Sequence, residues 1–254
     1  MIYDLQKPSF MKRIAAFMLD FFLIVILATG FAFLLSLIVN FDGALDKYQT
    51  LIAQYETTYG LKYSLTNSEI AALTSSEISA YEEMFKAMNS DSALLKAYST
   101  VFNLSLIIIT FGVLISVVVV EFIVPLILKN GQTVGKKLFS LCVINLNSVR
   151  ITKVQLFIRS ILGVYVIELM IPALVIIMLL FGMMGGIGAV VLFGLLILEI
   201  VILIANKNHV LIHDVLSGTA VADKSTQMIF ENADKLIKYQ QKLHEDEVKR
   251  TKTY

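Results

Sequence analysis

Lys12-Arg13-Ile14-Ala15-Ala16-Phe17-Met18-Leu19-Asp20, followed by the almost wholly apolar run from Phe21 to Val39, decides what kind of protein this chain makes. An apolar segment of that length crosses a bilayer as a helix, because about 20 residues rising ~1.5 Å each cover the ~30 Å hydrocarbon core. Arg13 and Asp20 are seven residues apart, about two helical turns, so both side chains fall on one face. With the span opening near Ile14, Asp20 stands about 9 Å inside the hydrocarbon. A carboxylate at that depth turns inward to a partner or a wet cavity, because facing lipid is expensive. A structural ion pair and a functional site are the two readings of it.

Working outward, three more apolar runs of spanning length, 57% hydrophobic residues and a mean hydropathy of +0.78 predict an all-α polytopic membrane protein. Its four transmembrane helices are expected at about 14–39, 101–128, 155–181 and 187–205. The first run is too long for a signal-peptide core and is read as a retained span. A single cysteine, Cys142, excludes an internal disulfide and a cysteine-cluster metal site. With no tryptophan, Tyr and Lys are left as interface anchors.

The net charge of +1 conceals an asymmetry that sets the expected topology. Residues 1–13 carry three basic residues and one acid, 41–100 carry four basic and eight acidic, and 129–159 carry six basic and no acid. The positive-inside rule then puts both termini and the loop after span two in the cytoplasm, with 41–100 outside.

Ile38, Phe41, Leu45, Tyr48, Ile52, Tyr55 and Tyr59 recur at spacings of three and four, so the first helix is expected to continue outward as an amphipathic stalk that stops at Gly60. Thr66-Asn67-Ser68-Glu69 and Thr74-Ser75-Ser76-Glu77 each fit a capping box, and Ile78, Tyr81, Phe85 and Met88 resume the rhythm. Residues 41–100 therefore read as an extracytoplasmic helical hairpin whose apolar stripes cover each other or dock another protein.

Span two contains Glu121, about 10 Å from its inner end, and Pro125, which frees the Glu121 carbonyl and predicts a kink. Lys129-Asn130-Gly131-Gln132-Thr133-Val134-Gly135-Lys136-Lys137 is not a phosphate-binding loop. Its glycines are four apart instead of five, and Lys137 stands where Ser or Thr would bind magnesium. Its lysines are expected to meet anionic lipid headgroups. Alternation over Leu141–Leu146, a turn at Asn147-Ser148 and a return at Val149-Arg150-Ile151 predict a small cytoplasmic β-hairpin.

Thr152-Lys153-Val154-Gln155 caps span three, which carries Arg159 at its border and Glu168 near its middle. A glycine-rich turn from Gly182 to Gly188 leads to span four, where Glu199 lies about 9 Å from the inner end. Asp20, Glu121 and Glu199 thus share one depth, with Arg13 and Arg159 at its rim, and are expected to converge on a polar cavity between helices. A network with no traffic through it is the alternative. His209 and His213, four apart beside Asp214, are weak metal candidates, since no glutamate stands between them. Residues 221–254 read as a cytoplasmic amphipathic tail, with Ile229, Ala233, Leu236, Ile237 and Leu243 on one side.

With Arg13 and Asp20 in span one, Gly131-Gln132-Thr133-Val134-Gly135-Lys136 after span two, Arg159 in span three and His213-Asp214-Val215-Leu216-Ser217-Gly218-Thr219 after the last span, the chain resembles the RDD family of bacterial membrane proteins. That family is named for one arginine and two aspartates, and the resemblance places them on Arg13, Asp20 and Asp214. It implies that Asp214 approaches Arg13 or Arg159 near the inner membrane face, and it points to the bacterial cytoplasmic membrane and to sodium/proton antiport. The long insertion between spans one and two and the extended tail depart from the family pattern.

The function expected is a cation/proton antiporter or other small secondary transporter, with Arg13, Asp20, Glu121, Arg159, Glu199 and Asp214 as its proton- and cation-handling network and Gly131, Gln132, Thr133, Gly135 and Lys136 as the motif loop. Its partners would be the bilayer, a monovalent cation, a proton and further copies of itself. The alternative is a non-transporting partner or regulatory subunit that engages another envelope protein through the hairpin. No cofactor, no enzymatic activity and no nucleic-acid partner is expected.

Overall fold

The computed structural model describes residues 5–180, 185–206 and 210–252. Among the described residues, four helices are long and apolar enough to cross a membrane: Phe10–Ile38, Ser92–Leu128, Lys153–Leu179 and Gly185–Ala205. They are the first to fourth spans below. Phe17, Phe22, Ile26, Phe33 and Ile38 of the first span all remain exposed, as side chains do when the solvent is lipid. The chain divides into two compact units, one made of residues 28–113 and the other of the remainder.

The unit of residues 28–113 holds the hairpin. The first span does not run on as one stalk: it ends at Ile38, and Asn40 adopts a left-handed conformation (φ 51°) before a second helix, Phe41–Tyr59. Asparagine tolerates that backbone better than most residues, so the break falls on it. Gly60, at φ 67°, ends the helix. Both expected capping boxes form, at Thr66 with Glu69 and at Thr74 with Glu77, the latter opening the helix Ser75–Ser90. Met84, Met88 and Leu94 are buried under Tyr48, Leu51, Ile52, Tyr55 and Tyr59. The pairs Tyr48 with Tyr98, Tyr55 with Asp91 and Tyr63 with Tyr81 run in opposite chain directions, so the hairpin is antiparallel. At its base Gly112 lets the second span approach the first; a Cβ there would lie 3.2 Å from the Ala28 carbonyl oxygen.

In the other unit, strand β1 (Leu141–Asn145) pairs antiparallel with β2 (Thr219–Asp223), from Leu141 opposite Asp223 to Asn145 opposite Thr219. This corrects the local hairpin expected over 141–151. The turn forms, with the Asn145 N–H donating to the Val149 carbonyl at 2.9 Å, but the return meets β1 in a single bridge, between Ile144 and Arg150, while Val149 bridges Phe230. The reason is burial. Leu141, Cys142, Val143 and Ile144 are all at most 1% exposed, so the full length of β1 needs a covered partner, and Ala220 and Ala222 are small enough to close over it. Leu5 and Ile229 pack on Cys142, Ile144 and Ala222. The helix Ala233–Lys252 follows, with the Tyr239 ring tilted against that of Phe230, their centroids 5.4 Å apart.

Two spans contain π-helical turns, at Val118–Ile123 and at Ile158–Met170. The first answers the Pro125 problem. Proline cannot donate to the carbonyl four residues back, and Ser160 donates its hydroxyl to that Glu121 carbonyl instead, at 2.6 Å. The glycine turn expected over 182–188 lies outside the described residues up to Met184; Gly185 has φ 52°.

Candidate functional site

Arg13, Ala16 and Asp20 follow one another at three and four residues, so they form one face of the first span, and Ala16 and Asp20 are buried. Asp20 meets the short helix Val134–Leu138 end-on. One carboxylate oxygen accepts the Thr133 hydroxyl at 2.5 Å and the other accepts the Gly135 N–H at 2.8 Å. Thr133 also caps that helix, accepting the Lys136 N–H at 3.2 Å. Gly135 has to be glycine for the approach. A Cβ there would run into the Ala16 carbonyl and stand 2.9 Å from the Asp20 carboxyl carbon.

Lys136 departs from the expectation that the loop lysines meet headgroups. Its Nζ lies 3.2 Å from both carboxylate oxygens of Glu121 and 3.8 Å from Asp20, with its side chain 11% exposed. Two buried carboxylates recruit the nearest ammonium because a lone charge there is far costlier than a paired one. Lys137 and Lys129 are exposed, and neither pairs with these carboxylates. Gln132 ties the loop to the sheet: its amide donates to the Leu141 carbonyl at 2.6 Å, and its oxygen accepts Lys224 Nζ at 2.9 Å. Gly131, at φ 61°, packs against Val143.

A second group forms where the helix Ile212–Ser217 lies along the third span. Arg159 forms a buried ion pair with Asp214, whose Oδ1 also accepts the Thr219 hydroxyl at 2.9 Å. Thr219 is positioned by Gly218 at φ 64°, which ends the helix, and by Ser217 at 2.7 Å. His213 is buried, its Nδ1 2.7 and 2.9 Å from the two oxygens of Glu168. Burial first, and then the neighbouring Arg159, hold its imidazole below the ordinary histidine pKa. Gly163 makes room for it, since a Cβ there would come within 2.7 Å of the His213 Cα. Glu121 is within electrostatic range of both Arg159 and His213, so the two groups are neighbours.

The structure thus brings together Asp20, Glu121, Arg159 and Asp214 of the residues singled out from the sequence. Arg13 joins at the sheet, donating to the Val221 carbonyl at 3.1 Å beside the Lys12–Asp223 ion pair at 2.8 Å. Glu199 does not join the Asp20 cluster. It lies on the fourth span, with Glu168 as its charged neighbour. The carboxylates of Asp20, Glu121 and Asp214 are paired directly with hydroxyl, amide, ammonium and guanidinium donors. Among the described residues no group of three His, Cys, Asp or Glu side chains could hold a metal, and His209 lies outside them.

Glu168 is the site residue that sequence reasoning missed. In a regular helix it would stand about 180° around from Arg159, nine residues earlier. The π-helical turns widen each turn to bring residues four and five apart into line. Arg159, Gly163 and Glu168 therefore share one face and receive Asp214 and His213.

No curated protein matches this sequence, and no solved structure does. The model of the RDD family matches residues 7–218. That range takes in Asp20, the motif loop, the third span and Asp214, so the chain belongs to the RDD family.

Proposed function

We propose that this membrane protein is a secondary transporter that exchanges a monovalent cation for a proton, with Lys136 as the exchanging group between Asp20 and Glu121. One observation carries the reading: a part-buried ammonium is held between two carboxylates, 3.2 Å from one and 3.8 Å from the other. A monovalent cation has the same charge as that ammonium. It can take the ammonium's place against the Asp20 and Glu121 oxygens and the Thr133 hydroxyl as the Lys136 ammonium loses one proton to water and is left a neutral amine. The charge of the site is the same before and after, so the exchange adds no buried charge. All the replacement ligands are oxygens, which suit hard cations.

The charge asymmetry of the loops supports a cytoplasmic setting for both termini and for this site. Four spans make a small transporter, and assembly of several copies belongs to the proposal. The outer hairpin's apolar stripe packs against itself, which favours transport over a role as a docking subunit.

Purified protein in proteoliposomes should dissipate a preset pH gradient when sodium or another alkali cation is added. Lys136→Arg keeps a cation between the carboxylates but holds its proton at every working pH. That variant should remain folded and show no cation-dependent dissipation. Absence of flux from well-folded wild-type protein would overturn the proposal.

A further inference from the structure

The exchange site uses Asp20, Lys136 and Glu121 and leaves the His213 group unexplained. His213 stands between two carboxylates. Glu168 holds Nδ1 at 2.7 and 2.9 Å and accepts the His213 main-chain N–H at 3.1 Å. On the other side Nε2 lies 3.6 Å from Asp214 Oδ2. An ionised carboxylate only accepts, so Nδ1 carries the hydrogen and Nε2 presents a lone pair. That lone pair faces an acceptor, which explains a separation longer than a hydrogen bond. A purely structural pair needs the Glu168 contact alone; the second carboxylate facing Nε2 is what a proton path needs.

We propose that His213 relays protons between Asp214 and Glu168 during exchange, an inference that rests on the exchange reading above. A proton arriving on Asp214 Oδ2 turns an acceptor–acceptor gap into a donor–acceptor one and draws the pair together. The Nε2–H bond forms as the Asp214 O–H bond breaks, and the Nδ1–H bond breaks as an O–H bond forms on Glu168. One proton enters and one leaves, the ring is neutral before and after, and rotation of the imidazole restores the starting tautomer. The depressed basicity of the buried ring keeps it neutral near pH 7, so it is ready to accept. The charged and titratable groups around it are Arg159 and Glu168 of the third span, Glu121 of the second and its own neighbour Asp214. Arg159 keeps its proton and acts by orienting Asp214.

His213→Gln retains an amide donor for Glu168 but cannot pass a proton. In proteoliposomes, sodium uptake driven by a pH gradient should fall about a hundredfold in this variant, the scale of a lost acid–base group. Exchange of labelled for unlabelled sodium with no pH gradient needs no net proton movement and should persist. Nitrogen-15 spectra of the wild type should show His213 as the neutral Nδ1–H tautomer at pH 7. Unchanged pH-driven uptake in H213Q, equal loss of both transport modes, or an Nε2–H tautomer would overturn the relay alone. Wild-type protein that moves no sodium in either mode would overturn the exchange reading, and the relay with it.

Discussion

Replacing Thr133 by valine tests the docking of the first span on the motif loop. The residue is fully buried, and valine matches its shape, so packing is kept while two polar contacts go. The first is the hydroxyl donated to Asp20 at 2.5 Å, the second the cap accepted from the Lys136 N–H at 3.2 Å. A hydrogen bond to a charged group contributes about 1.5–3 kcal/mol and an N-cap about 1 kcal/mol, which together give a loss of about 2.5–4 kcal/mol. For a chain of this length that lowers the melting temperature by about 5–15 °C. Thr133→Ser retains both contacts and should cost far less. In an Asp20→Asn background the ionic part is already gone, so Thr133→Val should there cost only about 1 kcal/mol, a coupling of at least about 1.5 kcal/mol. Thermal unfolding in detergent, followed by circular dichroism, reads the wild type, the single variants and the double variant alike. Thr133→Val melting within about 2 °C of wild type, or costing as much in the Asp20→Asn background as in the wild type, would refute the reasoning.

Gly163→Ala should displace the helix Ile212–Ser217, because the added methyl meets the His213 backbone and side chain; faster proteolysis or hydrogen exchange over residues 210–218 would register it. Lys12 and Ser225 hold the Asp223 carboxyl down at about 2, from an ordinary 3.8. The Asp223 contribution to stability is therefore complete above pH 3.8 and is lost as pH falls toward 2. Asp223→Asn should flatten that part of an acid-denaturation curve and leave the neutral range less stable. Cys142 is buried and its thiol is pushed up to about 12, chiefly by burial. Maleimide should label it slowly in the folded protein at about pH 7.5 and quickly after unfolding.

How much of this was legible in the sequence follows from how far apart the interacting residues are. Apolar run length alone announced four spans, because in a bilayer the backbone must satisfy itself and so can only be helical. The capping boxes at Thr66, Thr74 and Thr152, the stop at Gly60, and the shared face of Arg13 and Asp20 all involve neighbours within two turns, where helical geometry is fixed in advance. Periodicity also gave the hairpin's self-covering stripe.

Tertiary structure decided the rest. Asp20 reaches Thr133 across 113 residues of sequence, and no local pattern says which donor a buried carboxylate will find. Lys136 read as a surface lysine, and it turned inward because two carboxylates stood within its reach. β1 looked complete with its own turn, but burial on both faces demanded a second partner, which came from beyond the last span. Glu168 was hidden by the 3.6-residue rule itself. Only the widened turns of the third span, made against the helix Ile212–Ser217, rotate it onto the face of Arg159 and into contact with His213. Local periodicity fixes a helix and its faces, while the pairing of buried charges is settled by whichever packed arrangement leaves none of them alone.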